Sequence, residues 1–117
     1  MERRKYKRFQ TYDKQVDLTF NEKNIQCNII DVSLGGLSFY YTEPIPVGER
    51  MTIMHSNIPI GIDGYIVGTH MVLTDENFLE YKYKVCMEFS DELNLNIRKR
   101  ITIELSGIKE NEDFYNR

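Results

Sequence analysis

Cysteine and histidine are scarce in this sequence, which limits the chemistry that it can support. The 117 residues include two cysteines, two histidines and no tryptophan. Cys27 and Cys86 lie far apart in apolar runs, so we predict two small core residues rather than a disulfide framework or a zinc site. His55 and His70 have no paired metal-ligand spacing, and we expect structural or exposed roles for them. No constellation of catalytic residues is left, and we predict neither an enzyme nor a bound metal or cofactor.

Long apolar runs are also missing. No stretch approaches the roughly 20 apolar residues of a membrane-spanning helix, and the first residues are charged. We therefore expect no signal segment, no membrane insertion and a reducing, cytoplasmic location. Hydrophobic residues make up 41% of the chain and charged residues 28%, as in folded globular proteins, and the length suits one domain.

Positive charge is concentrated at one end of the sequence. Five of the first eight residues are basic against the single acid Glu2, so the other 109 residues carry a net charge of −7 within a total of −3. This distribution allows a local anion site on the basic segment but argues against a general polyanion-binding surface. The alternative to a local anion site is a small nucleic-acid-binding barrel that stacks bases on Phe39, Tyr40 and Tyr41. The acidic remainder of the chain argues against it, because it would repel phosphates.

Short stretches that alternate apolar and polar residues predict strands, and turn-forming residues separate them. Two prolines make residues 43–48 a loop, because proline cannot lie inside a central strand. One of the predicted strands is either a single long bent strand or two strands. The predicted strands lie at 14–20, 25–32, 37–42, 50–55, 60–72 and 81–89.

Apolar residues between positions 93 and 108 recur at near-helical spacing. Ser90 followed by two acids is typical of a helix start, and Ser106-Gly107 of a helix end. The same stretch also alternates, so a strand is the alternative. The start and stop signals and the basic run 98–100 favour a helix with that run on its exposed face.

These elements predict a mainly β protein, an antiparallel barrel with one helix across an opening. Residues 1–12 form a flexible arginine-rich arm, residues 13–108 the barrel with its closing helix, and residues 109–117 a frayed, charged tail.

Two short runs carry groups that recognise guanine and phosphate. In the first, Arg4 and Arg8 lie four residues apart. An arginine presents a planar fork of N–H donors that pairs with guanine O6 and N7 or with phosphate, and its plane stacks on purines. Such a pair alone is more typical of a solvated basic tail.

The second run, Asp31-Val32-Ser33-Leu34-Gly35-Gly36, supplies the complementary groups. The Asp31 carboxylate accepts from guanine N1–H and N2–H, and the Ser33 hydroxyl donates or accepts. Gly35 and Gly36 permit positive φ, and we expect them to let the backbone approach a ligand closely. Alone, this run is also typical of an ordinary turn. Together, the two runs predict a site for a guanine-containing dianion.

The order and separation of the two runs resemble the PilZ domain family of bacterial cyclic di-GMP receptors. The family's hallmarks are an R-x-x-x-R lead-in, here Arg4 and Arg8, and a D/N-x-S-x-x-G hairpin, here Asp31, Ser33 and Gly36. The resemblance covers residue 2 to about residue 107 and implies a six-stranded antiparallel PilZ-type β-barrel with a C-terminal helix. Other stretches similar to the family are Gly35-Gly36-Leu37-Ser38-Phe39, Pro46-Val47-Gly48-Glu49 and Tyr83–Phe89.

The resemblance also implies roles for individual residues. Arg4 and Arg8 would hold guanine and phosphate groups, Asp31 and Ser33 would contact a guanine edge, and Gly36, with Gly35 beside it, would allow close approach. Arg3 lies at a position tied to the number of bound ligands and resembles the type that binds two stacked molecules. Lys5 and Cys86 would lie near the ligand, and Cys86 occupies a position where the family usually has glycine.

The function implied is that of a second-messenger receptor. Cyclic di-GMP would order the arm, and the ordered arm would pass the signal to an unidentified downstream protein, for example in motility or biofilm regulation. The alternatives are the nucleic-acid-binding barrel and a PilZ-like interaction domain that does not bind the ligand.

Overall fold

Alternating strands close into an antiparallel barrel in the computed structural model, which describes residues 5–11, 15–20, 22–72 and 83–116. Six strands form the barrel and a short seventh lies outside it. The elements in chain order are β1 (Phe9–Gln10), β2 (Gln15–Phe20), β3 (Lys23–Val32), β4 (Gly36–Tyr41), β5 (Arg50–His55), β6 (Ile58–Met71), β7 (Tyr83–Phe89) and α1 (Leu95–Ser106).

The barrel strands follow the order β3-β2-β5-β6-β7-β4, and β4 pairs with β3 to close the ring. The predicted six-stranded antiparallel barrel with a C-terminal helix is therefore confirmed. The sequence did not predict β1, which pairs with the end of β3 through Phe9 opposite Val32 and Gln10 opposite Asp31. This strand attaches the arm to the barrel wall.

The barrel interior collects the apolar residues of each alternating strand. In β7, for example, Val85, Met87 and Phe89 are buried, whereas Glu88 is exposed. Each fully buried large aliphatic or aromatic side chain contributes about 1.5–3 kcal/mol to folding. Side chains with no exposed surface include Leu18, Val32, Phe39, Ile53, Ile62, Ile66 and Val85.

Two departures from regular pairing matter for the outer face of the barrel. The predicted strand at 60–72 is one long strand, β6, whose pairing with β7 shifts register between Ile66 and Gly68. The pairing of β3 with β4 shifts between Ile29 and Asp31. Residues 73–82, which include a predicted turn and the first part of the predicted strand 81–89, lie outside the described residues.

The helix begins later than the sequence predicted. Its N-cap is Asn94, whose side chain accepts a hydrogen bond from the Ile97 N–H at 3.0 Å. The Ser90 hydroxyl instead accepts from the Glu92 N–H at 3.2 Å, which forms a local turn before the helix. The predicted end is confirmed, because Gly107 adopts φ 77° and donates to the Ile103 carbonyl.

The frayed tail predicted beyond the helix is wrong for residues 114–116. The Phe114 side chain is buried, and Tyr115 forms a β-bridge with Tyr6. An aromatic pair within a polar segment is the physical reason, since Phe114 and Tyr115 gain more from packing than from exposure. Within the described part of the chain, no helix is long and apolar enough to cross a membrane.

Candidate functional site

A cleft of about 390 Å³ lies between the arm, the β3–β4 loop and the adjoining strands β4 and β7. Seven of the nine predicted site residues line it. Arg3 and Arg4 are the other two, and both lie outside the described residues. The predicted residues on the cleft wall are Lys5, Arg8, Asp31, Ser33, Gly35, Gly36 and Cys86.

Asp31 faces the cleft because of the irregularity in β3. Strict alternation from Ile29 would place Asp31 on the same inner face, two residues further along. The register shift between these residues instead turns Ile29 and Val32 inward, while Asp31 stays partly exposed. The bulge therefore delivers a carboxylate to the outer wall of the barrel.

Two neighbouring side chains hold this carboxylate. The Ser38 hydroxyl donates to Asp31 Oδ1 at 2.7 Å, and Lys84 Nζ lies 3.8 Å from Oδ2. Ser38 is buried opposite Asp31 in the β3–β4 ladder, so its hydroxyl has a fixed direction. A carboxylate has about four lone-pair positions, so Asp31 can still accept hydrogen bonds from a ligand. Neither partner is predictable from the sequence, because cross-strand neighbours become visible only once the register is known.

Ser33 shapes the loop as well as facing the cleft. Its N–H donates to the Gly36 carbonyl at 2.8 Å, and its hydroxyl accepts from the Gly35 N–H at 3.1 Å. The loop also joins β7 through the Phe89 N–H, which donates to the Gly35 carbonyl at 2.9 Å. The loop geometry therefore depends on its own backbone and on β7.

Positive φ is not the reason for the two glycines. Neither Gly35 nor Gly36 has positive φ. A Cβ on Gly36 would lie 2.0 Å from the Met87 carbonyl oxygen, so this glycine admits the backbone of β7. A Cβ on Gly35 would lie 3.2 Å from Cδ2 of Tyr6, so this glycine admits the ring of an arm residue.

The arm reaches the cleft because β1 fixes its far end. Gln10 pairs with Asp31, and the buried Thr11 hydroxyl donates to the Ile29 carbonyl at 2.5 Å. These contacts place the exposed Arg8, one residue before β1, on the cleft wall.

Arg98 is a cleft residue that the sequence analysis assigned to an exposed helix face. Its guanidinium instead donates to three backbone carbonyls: Nε to Leu93 at 2.7 Å, Nη2 to Ser90 at 3.0 Å and Nη1 to Leu34 at 3.3 Å. It also lies 5.9 Å from the centre of the Phe89 ring. A signal was present, because Arg98 shares a helix face with Thr102 and Leu105, both of which are fully buried.

The two cysteines differ in burial. Cys27 is a core residue as predicted, and burial, with a smaller effect of the Asp17 carboxylate, raises the pKa of its thiol to about 12. Cys86 is only half-buried and lies on the cleft wall, so its assignment to the core is wrong. In β7 it alternates with the inward-facing residues Val85 and Met87, which turns it outward.

The cleft is suited to an anion that also donates hydrogen bonds. Its described wall carries the cations Lys5, Arg8 and Arg98 and the carboxylates Asp31 and Glu88. Among the described residues, no group of three histidine, cysteine or acidic side chains could hold a metal ion.

The aromatic stacking surface suggested for nucleic acid does not form on β4. Phe39 has no exposed surface because it points into the barrel, whereas Tyr40 points outward. Tyr41 is only partly exposed and packs against the core. Consecutive strand residues face opposite sides of a sheet, so these three rings cannot form one platform.

The fold is shared with known proteins. The chain is similar to the PilZ domain of YcgR from Escherichia coli, whose structure contains c-di-GMP, with a TM-score of 0.65 and 16% identity over 89% of this chain and 92% of that one. It is also similar to MrkH of K. pneumonia in complex with c-di-GMP, with a TM-score of 0.65 and 20% identity over 86% of this chain. The chain spans only half the length of MrkH.

Sequence comparison gives a family but no individual relative. No curated protein matches the chain. The family model for the PilZ domain matches residues 2–102, which is most of the sequence and includes both motif runs. The chain belongs to the PilZ domain family.

Proposed function

We propose that this chain is a receptor that binds cyclic di-GMP in the cleft. One observation carries the proposal: Arg8, from the arm, lines the same cleft as Asp31, Ser33 and Gly36 from the β3–β4 loop. The c-di-GMP complexes of YcgR and MrkH share the fold, which supports the same ligand class here.

The chemistry of the cleft matches the two parts of the ligand. Arg8 can pair with guanine O6 and N7 or with a phosphate, and the resemblance implies the same chemistry for Arg4. Arg3 lies at the position that the resemblance ties to the number of bound ligands. Asp31 keeps acceptor positions for guanine N1–H and N2–H, while Ser38 and Lys84 hold it in place. The volume of about 390 Å³ lies within the usual range for small-molecule sites.

We propose that the signal passes to a partner protein through ordering of the arm. Strand β1 has only two residues and two paired positions, so few bonds attach the arm to the barrel. A ligand that contacts both Arg8 and Asp31 adds a further attachment to the barrel and shifts the arm toward one arrangement. The partner would recognise the surface that this ordered arm presents.

Calorimetric titration with cyclic di-GMP tests the proposal. We expect saturable binding by the unaltered chain and at least about a 100-fold weaker affinity for Arg8→Ala, since two charge-assisted hydrogen bonds contribute about 1.5–3 kcal/mol each. Arg50→Ala is the matched control, because Arg50 is exposed on β5 and does not line the cleft. A folded chain that gives no heat at high micromolar ligand would support the interaction domain without ligand instead.

A further inference from the structure

Residues 114–116 pair with the arm in a way that the family match does not cover, since that match ends at residue 102. The Lys7 N–H donates to the Phe114 carbonyl at 2.9 Å, and the Asn116 N–H donates to the Lys5 carbonyl at 3.1 Å. The Asn116 side chain also donates to the Tyr6 carbonyl at 3.2 Å. These bonds attach three consecutive arm residues to one short segment, which we name the clasp (residues 114–116).

Aromatic contacts reinforce these bonds on both sides. The Tyr6 and Tyr115 rings lie 5.6 Å apart, and Phe9 meets Phe114 edge to face at 6.0 Å. Phe114 is only 4% exposed, and Lys99 Nζ lies 5.9 Å from its ring centre. The clasp therefore contacts β1 and the helix as well as arm residues 5–7.

The clasp supports the cleft without forming part of it. Lys5, Tyr6 and Arg8 line the cleft, whereas no residue of the clasp does. Tyr6 connects the two, because its ring lies 5.6 Å from that of Tyr115 and also next to Gly35 on the cleft wall. A change in the clasp can therefore reach a bound ligand by moving the arm.

We propose that the clasp is a positioning element that couples its own docking to ligand affinity, an inference that rests on the proposed binding of cyclic di-GMP. When the clasp is docked, arm residues 5–8 lie at the cleft. When it is released, the short strand β1 and the adjoining Thr11 bonds to β3 remain, and residues 5–8 lose their bonds to the clasp. Affinity falls in proportion to the fraction of molecules whose arm is in place, and by linkage the ligand must favour clasp docking to the same extent.

Calorimetry on Tyr115→Ala tests whether docking of the clasp raises the affinity for the ligand. We expect affinity for cyclic di-GMP to fall roughly three- to tenfold, as the docked fraction falls by that factor. Asn116→Ala, which removes the side-chain bond to Tyr6 but keeps the Tyr115 ring, should give a smaller loss of the same sign. Glu110→Ala, in an exposed part of the same tail, should bind like the unaltered chain.

Amide hydrogen exchange tests whether the ligand favours docking of the clasp. It also distinguishes a local release of the arm from a general loss of stability. The Lys7 and Asn116 amides report docking directly, because they donate the two backbone bonds between arm and clasp. We expect cyclic di-GMP to slow exchange at Asn116, and Tyr115→Ala to speed exchange at Lys7 while β7 amides keep their rates.

The outcomes separate the two proposals. Normal affinity in Tyr115→Ala and Asn116→Ala, or ligand-independent exchange at Asn116 in a chain that binds, overturns the coupling and leaves the receptor function intact. No binding by the unaltered chain overturns both. If Tyr115→Ala speeds exchange in β7 as well, Asn116→Ala decides: a loss of affinity supports the coupling and normal affinity rejects it.

Discussion

A methyl group added at Gly36 should lower the free energy of unfolding, whereas the same group added at Gly35 should mainly weaken ligand binding. Neither glycine has positive φ, so alanine brings no backbone strain and only the surrounding space decides the outcome. At Gly36 the new Cβ would lie 2.0 Å from the Met87 carbonyl oxygen and 3.0 Å from Glu88 Cα. Ordinary contacts are near 3.5 Å, so β4 and β7 must separate by more than an ångström.

That separation stretches the β4–β7 ladder where Gly36 pairs with Glu88 and where the Phe89 N–H donates to the Gly35 carbonyl. Overpacking typically costs 1–3 kcal/mol and each lost hydrogen bond about 1 kcal/mol. We expect Gly36→Ala to lose about 3 kcal/mol or more of unfolding free energy, which lowers Tm by roughly 12 °C in a chain of this size.

At Gly35 the nearest atom belongs to a side chain rather than to the backbone. Cδ2 of Tyr6 would lie 3.2 Å from the new Cβ, and this ring belongs to a side chain that can shift. We expect Gly35→Ala to change unfolding free energy by less than about 1 kcal/mol and to weaken cyclic di-GMP binding severalfold, because the Tyr6 ring is displaced from the cleft wall. Urea denaturation and calorimetry on both variants provide the measurements. Equal stability of the two variants, or a larger loss in Gly35→Ala, would refute this account of the loop.

Two further predictions concern stability. Arg98→Ala should lower the free energy of unfolding in urea by about 3 kcal/mol or more, because three backbone carbonyls lose a charged donor. Arg100→Ala is the control, because it removes only an exposed ion pair with Glu104 that is worth at most about 0.5 kcal/mol. Similar losses in the two variants would contradict a stabilising role for the Arg98 hydrogen bonds. The raised pKa of Cys27 keeps the folded thiol protonated to about pH 12, while the unfolded thiol ionises from its ordinary value of 9.0. The stability contributed by this thiol is therefore complete well below pH 9 and falls above it, by about 1 kcal/mol between pH 9 and 10. Cys27→Val should then lose less unfolding free energy over that interval in the same denaturation assay, and parallel slopes would contradict the prediction.

The regular part of the fold was predictable from the sequence because one physical signal dominates it. Alternation identified the barrel strands, including β5 at its observed bounds, since each strand has one apolar face toward the core. Gly107 identified the helix end because a left-handed residue there strongly favours glycine. The helix start was misplaced at Ser90 because several capping residues precede the helix, and tertiary contacts decide which of them caps it.

The candidate site was less predictable because it depends on irregularities. Alternation alone places Asp31 inside the barrel, and only a register shift turns it outward. Strand β1 and the clasp were missed because each is too short to produce a periodic pattern, and each forms only against a distant segment. Arg98 was assigned to solvent from its charge, although its position on the buried helix face favoured an internal partner.

The hairpin motif therefore has a structural role that is separable from its proposed role in binding. Ser33 closes the loop, Gly36 admits β7, and Gly35 admits the arm, while the bulge leaves Asp31 facing the cleft. Substitutions at Gly36 should then act through folding, and substitutions at Asp31 through the ligand. Loss of binding alone cannot tell these roles apart, because a displaced loop also misplaces the carboxylate. Stability and affinity must be measured on the same variants, and the proposed site is supported only where affinity falls while the barrel stays intact.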